Sequence, residues 1–108
     1  MAQNFRRYTS NNVGTSAATL FTADSYDTVV GISVANVTTS SVIASVYINN
    51  GTDDIYLVKD APIPAGSALQ VLDGGAKFVV QNNDALKVIS DTASSLDVWV
   101  STVDAIST

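Results

Sequence analysis

Apolar residues in this chain recur every second position, and nowhere over eleven residues do they hold a 3.6-residue period. Val42, Ala44, Val46 and Ile48 alternate with Ser41, Ile43, Ser45 and Tyr47. Val30, Ile32 and Val34 alternate with Gly31, Ser33 and Ala35, and Leu96, Val98 and Val100 with Asp97, Trp99 and Ser101. Shorter runs follow the same rule: Ile55 and Leu57, Leu69 and Val71, Phe78 and Val80, Leu86 and Val88, with Ala17 to Thr22 as a first strand. A period of two puts alternate side chains on opposite faces of a pleated strand, and the Val, Ile, Thr and aromatic content suits that surface.

Turn chemistry separates the runs. Asn49-Asn50-Gly51-Thr52 is the strongest signal, because Asn-Gly supplies the positive φ of a tight hairpin. Asp73-Gly74-Gly75, Asn82-Asn83-Asp84 and Asp91 to Ser95 are read the same way. Ala61-Pro62-Ile63-Pro64-Ala65-Gly66 holds two prolines, which remove ladder donors, so it reads as a loop crossing between sheets. The expectation is an all-β fold: one antiparallel β-sandwich, jelly-roll-like, of about eight short strands. Residues 1–14 lack a clear period and read as an N-terminal arm, leaving 15–108 as the sandwich domain.

Composition narrows function by exclusion. The 108 residues include no histidine, cysteine or glutamate; ten aspartates face five basic residues, for a net charge of −5. General acid–base, nucleophilic and thiolate-metal chemistry therefore lack their usual parts. Neither a nucleophile elbow nor a phosphate loop occurs. Most aspartates fall at turns, which argues for Asx-turns over a calcium site or a paired-carboxylate hydrolase. The reading is no enzyme, and no catalytic, metal or cofactor residue. An acidic chain lacks the basic face that nucleic acid or an anionic membrane needs. The first residues carry Arg6 and Arg7 but no apolar core of a signal peptide, so secretion through one is not expected. Asn36-Val37-Thr38 and Asn50-Gly51-Thr52 fit the glycosylation pattern, at positions where turns are expected.

The face opposite the core is the informative one. Ile43, Tyr47, Tyr56, Val58, Val79, Ile89, Trp99 and Val103 fall on the outward parity, where a lone sandwich carries mostly polar groups. Charged residues make up only 14% of the chain, against roughly 25% in an average soluble protein. Bulky apolar groups on a sparsely charged surface point to contacts with other proteins. The candidate interface residues are Phe5, Arg6, Arg7 and Tyr8 on the arm, with Tyr47, Tyr56 and Trp99 as strand anchors. An alternative of another class is a carbohydrate-binding module for host attachment, with Tyr26, Tyr47, Tyr56 and Trp99 along a face or end.

The stretches Thr28-Val-Val-Gly-Ile-Ser-Val-Ala-Asn and Val46-Tyr-Ile-Asn-Asn-Gly resemble small virion structural proteins of tailed phages, marine cyanophages among them. Tyr56-Leu-Val-Lys-Asp-Ala-Pro-Ile-Pro-Ala-Gly-Ser-Ala-Leu-Gln-Val-Leu-Asp-Gly-Gly and Asp84-Ala-Leu-Lys-Val-Ile-Ser-Asp extend the likeness, which spans residues 4–107. Each piece is of low specificity; their order is more specific. One departure is Asn82-Asn83-Asp84, where the family pattern has a glycine-bearing turn. The resemblance implies a multi-copy β-sandwich of the virion, as a head decoration or cement subunit, or as a neck, tail or baseplate part. Its implied partners are copies of itself and other virion proteins, with no small-molecule substrate.

Overall fold

The computed structural model describes residues 4–23, 27–71 and 78–104. Among the described residues nine strands run in chain order: β1 (Asn4–Val13), β2 (Ala18–Thr22), β3 (Asp27–Asn36), β4 (Val42–Asn49), β5 (Asp54–Ile63), β6 (Ala68–Gln70), β7 (Phe78–Val80), β8 (Ala85–Ser90) and β9 (Leu96–Asp104). Their pairing is nested. β4 pairs with β5, β3 with β6 and β7, β2 with β8, and β1 with β9, all antiparallel. Two further pairings, β3 with β9 and β4 with β8, join the nested pairs into two sheets. One sheet runs β1-β9-β3-β6, with β7 beside β3; the other runs β2-β8-β4-β5. A long hairpin rolled up in this way is a jelly-roll sandwich, so the expected fold class holds. Because β9 covers one side of β3, β6 and β7 lie end to end along its other side.

The core lies between the sheets. Val29, Ile32, Val34, Val98 and Val100 come from one sheet, and Val42, Val46, Ile63, Leu86 and Val88 from the other, all at 3% exposure or less. Beside them Leu57, Leu69 and Val71 are partly buried against the core.

Departures from strict alternation trace to bulges, where one strand carries an extra residue. β3 gains one between Val29 and Gly31, which turns Val30 out to 42% exposure, although its alternation with Ile32 and Val34 reads as inward. β2 gains one between Thr19 and Phe21, and this lets the neighbours Leu20 and Phe21 both face the core. Ile55, read as a core residue, stands 53% exposed beside the hairpin loop.

Residues 4–13 of the segment expected as an arm form β1, hydrogen-bonded along β9. They supply the strand that raises the count from eight to nine. Ala18–Thr22 is accordingly the second strand, not the first. The proline-bearing stretch divides: Ala61, Pro62 and Ile63 belong to β5, and residues 64–67 make the crossing to β6. Pro62 is tolerated because β5 is an edge strand with no neighbour on its far side. Ser67 N–H donates to Pro64 O (3.1 Å) to close the crossing turn, with Gly66 at φ 74°.

The hairpin predicted at Asn49-Asn50-Gly51-Thr52 joins β4 to β5 through a four-residue loop, 50–53, closed by the Asn49–Asp54 pair. Gly51 alone in that loop has positive φ, at 96°. Asn83 adopts φ 77° in the β7–β8 turn and so takes the conformation a glycine would favour. The expected turn at Asp73-Gly74-Gly75 lies outside the described residues.

Candidate functional site

The six candidate interface residues whose side chains are described divide between two opposite faces and the interior. On β9, Trp99 is flanked by Thr9 of β1 and Ser33 of β3, all on the outer face of the first sheet. Trp99 is 51% exposed. The Arg7 guanidinium lies 5.3 Å from its ring centroid, a cation–π contact that fixes the indole across the sheet. Arg6 is exposed on the same strand. The Phe5 backbone pairs with Val103, and its side chain lies outside the described residues.

Tyr8 points inward. It stacks on Phe21 with ring centroids 4.4 Å apart and planes 14° apart, packed against the core. Tyr8 is therefore a bolt between β1 and the second sheet rather than a surface anchor.

The second cluster sits on the outer face of the β2-β8-β4-β5 sheet. Tyr47 and Tyr56 are direct cross-strand partners with centroids 5.0 Å apart. Tyr56 is 42% exposed and Lys59 Nζ lies 4.9 Å from its ring centroid. Tyr47 is 8% exposed, and burial, then nearby Asp54 and Tyr56, push its phenol above the ordinary value. It is therefore a supporting wall for Tyr56 and stays neutral well above neutral pH. Ile43 and Ile89 are half-buried on this face, as outward parity predicts. Tyr26, the remaining aromatic of the carbohydrate reading, lies outside the described residues.

The aspartates do structural work at the turns. Asp84 Oδ2 accepts from Gln81 N–H (2.8 Å), and Asp54 Oδ1 from Asn49 Nδ2 (2.7 Å). Asp60 is not at a turn: it sits inside β5 at a bulge with φ 54°, its N–H donating to Ser45 Oγ (2.9 Å). Among the described residues no three carboxylates gather into a group that would hold a metal.

Asp91 makes a two-way clamp. Its N–H donates to Ile43 O (3.0 Å) while its Oδ1 accepts from Ile43 N–H (3.0 Å) and from Thr92 Oγ1 (2.9 Å). The Ile43 N–H, then the Thr92 hydroxyl, hold the carboxyl below the ordinary carboxylate range. A depressed folded-state pKa gives stability that is complete above the unfolded value near 3.9 and is lost as pH falls through the folded value. Acidification from pH 6 to pH 3 therefore lowers the melting temperature, and Asp91→Asn shows a smaller drop over that interval. Equal drops in the two proteins, read by circular dichroism, would remove Asp91 from the acid response.

Both possible glycosylation sites resolve on geometry. Asn36 is 3% exposed, and both protons of its amide nitrogen are engaged, by Ser40 O (2.8 Å) and Ile63 O (2.9 Å). The folded chain cannot present it to a transferase. Asn50 is exposed, and its Oδ1 accepts from Thr52 and Asp53 N–H in the hairpin loop.

The sheet edges at β5 and β1 are blunted. β5 carries two bulges against β4, plus Lys59, Asp60 and Pro62. β1 carries a bulge between Ser10 and Val13, with Asn12 at φ 55°. Such features discourage edge-to-edge pairing. Contacts with other chains are thus left mainly to the outer faces, where Trp99, Val30 and Val79 lie on one side and Tyr56 on the other.

No protein-family model matches the sequence, and comparison with curated proteins finds no match. Among solved structures, a chain from Bacillus endospore appendages, which form a novel family of disulfide-linked pili, matches with a TM-score of 0.58 at 15% identity. The match covers 94% of this chain and 84% of that chain, so the likeness is one of fold along nearly the whole length.

Proposed function

We propose that this chain is a non-enzymatic structural subunit that acts in many copies, and that it is a component of a tailed-phage virion, in the position of a head decoration subunit. The observation that carries the assembly reading is the Tyr47–Tyr56 pair on the outer face of β4 and β5, with the half-buried Ile43 and Ile89 further along the same face. Aromatic groups presented on a firm backing are the residue type that anchors protein contacts. With the β5 and β1 edges blunted, that face is the natural place for a neighbour to bury surface. The fold likeness to an appendage that forms pili agrees with a multi-copy role. Those pili are described as disulfide-linked, and this chain has no cysteine, so its own contacts are non-covalent as far as thiols go. The virion placement rests on the sequence resemblance.

Substituting Tyr56→Glu adds a charge to this face, on its edge strand β5, without touching the core. The expected result is that wild-type protein forms higher-mass species by multi-angle light scattering as concentration rises, while Tyr56→Glu stays monomeric and folded, its melting temperature lowered only by the lost ring pair with Tyr47. A monodisperse wild-type monomer at high concentration would defeat self-assembly in solution. Immunogold labelling of tailed-phage particles tests the placement: label on heads supports the decoration position, label on tails moves the subunit there, and no label removes the virion reading.

A further inference from the structure

The outer face of the other sheet holds a groove that the assembly reading does not use. It is a shallow hollow of about 480 Å³ lined by Thr9, Ser10, Asn11, Ser33, Asp97 and Trp99, with Ala35 and Val98 in its wall. That volume lies in the range of small-ligand sites. Three local features build it. The bulge in β1 between Ser10 and Val13 lifts Asn11 and Asn12 out of register with β9 and raises one wall. Asn12 N–H donates to Asp97 Oδ1 (3.2 Å), which fixes the exposed carboxylate beside that wall. Trp99 forms the other end. Arg7 is paired two register positions away, with Ser101, and contacts the indole, while Asp97 and Ala35 lie on the opposite side in register.

We propose that this groove binds an uncharged pyranose residue of a polysaccharide, stacked on Trp99. The indole offers a broad apolar surface with electron density over its face, which suits the C–H side of a sugar ring. A ring stacked there presents its hydroxyls to the rest of the lining. Asp97 is an acceptor with lone pairs beyond the one Asn12 uses. Ser33 Oγ accepts from Gln70 Nε2 (3.1 Å), which leaves its own proton for a ligand oxygen. Asn11 and Thr9 supply both donors and acceptors. The carboxylate disfavours uronic and sialic acids, because an anionic sugar would meet Asp97 at close range. One shallow site of this kind is weak, and repetition over many copies is what makes weak sites hold a surface.

The test does not depend on assembly, because it reads a single chain. Trp99 is the one tryptophan of the sequence, so its fluorescence reports on this groove alone. Galactose, glucose, mannose, N-acetylglucosamine and galacturonic acid are titrated into the folded protein at neutral pH, followed by a hexasaccharide of whichever sugar binds. The expected result is a saturable emission change with at least one neutral sugar, with a Kd on the order of 1 mM, and none with galacturonic acid. Asp97→Ala weakens that binding about tenfold, which is the loss of one good polar contact. Tyr56→Glu leaves it unchanged. Trp99→Leu, followed by amide NMR because it is dark, abolishes the shifts at Ser33 and Asn11. No saturable response to any neutral sugar at concentrations about tenfold above that Kd overturns the proposal. So does emission that changes with protein concentration instead of sugar, since a second copy would then cover the groove. Tighter binding of the hexasaccharide than the monosaccharide supports an internal chain residue as ligand; equal binding supports a terminal one.

Discussion

Replacing Asn36 with alanine should lower the melting temperature by more than 10 °C (by about 15 °C, for a loss of roughly 3–4 kcal/mol at ~4 °C per kcal/mol). The size follows from what the side chain does. Nδ2 donates to Ser40 O and Ile63 O, and Oδ1 accepts from Thr38 N–H (2.8 Å) and Thr38 Oγ1 (2.7 Å). A buried amide with four bonds, to the β3–β4 loop and to β5, is a junction, not a turn residue. Its backbone joins the same junction: Asn36 N–H donates to Ser67 O (2.9 Å), and Val37 N–H to Ser95 O (3.0 Å). Alanine leaves the Ile63 carbonyl buried without that donor and empties the space between β3 and β5. Truncation strands polar partners, which costs more than the net value of the bonds. A domain of this length has only about 5–15 kcal/mol to lose. Asn36→Asp is the companion variant. It keeps the shape but points an oxygen at two carbonyl oxygens, so it should destabilise comparably. A melting temperature within two or three degrees of wild type for Asn36→Ala would show that the loop holds itself.

Asn36 also marks where reading the sequence stops. Asn36-Val37-Thr38 has the form of a glycosylation site, and nothing local says that the amide is spent inside the molecule. That fact belongs to residues as distant as Ile63. The alternation of Val42, Ala44, Val46 and Ile48 was legible because β4 sits mid-sheet, packed on one face along its whole length. Val30 misleads because an extra residue in β3 against β9 ejects it, a bulge that alternation does not show and only the adjacent Gly31 hints at. Outward placement of Trp99, Tyr56 and Tyr47 could be read from parity, whereas the burial of Tyr47 could not: it lies outward yet is covered by the strands around it. The groove beside Trp99 left no trace in the pattern at all. It exists because residues 9–11 are carried against residues 97–99 by the closing pair of the nested hairpin, almost ninety positions apart.

The same closing pair sets the second large effect. Deleting residues 1–8 should destabilise the domain severely and drive it to aggregate, rather than leave a trimmed but intact sandwich. β1 looks like an arm in sequence because its residues are mostly polar: as an edge strand it needs few apolar anchors, and Tyr8 and Val13 serve. The deletion strips β9 of its partners from Val100 to Asp104, leaving open the edge of a strand whose Val98 and Val100 are core. It also removes the Tyr8–Phe21 stack that ties the first sheet to the second. Loss of a buried aromatic alone costs about 3–5 kcal/mol, somewhat less for a half-buried one. The five lost ladder positions and a newly open, unblunted edge add to that. Tyr8→Ala separates the two contributions: it keeps the ladder and loses only the bolt, so it should remain soluble with a melting temperature lowered by about 8–12 °C, from roughly 2–3 kcal/mol at ~4 °C each. The truncated chain should show a broadened transition, dye binding to exposed apolar surface and growing light scattering. Retention of a sharp transition within a few degrees of wild type, in soluble monomer, would mean that β1 is dispensable. The first eight residues would then be an arm in energetic terms, free to pair with a neighbour in place of β9.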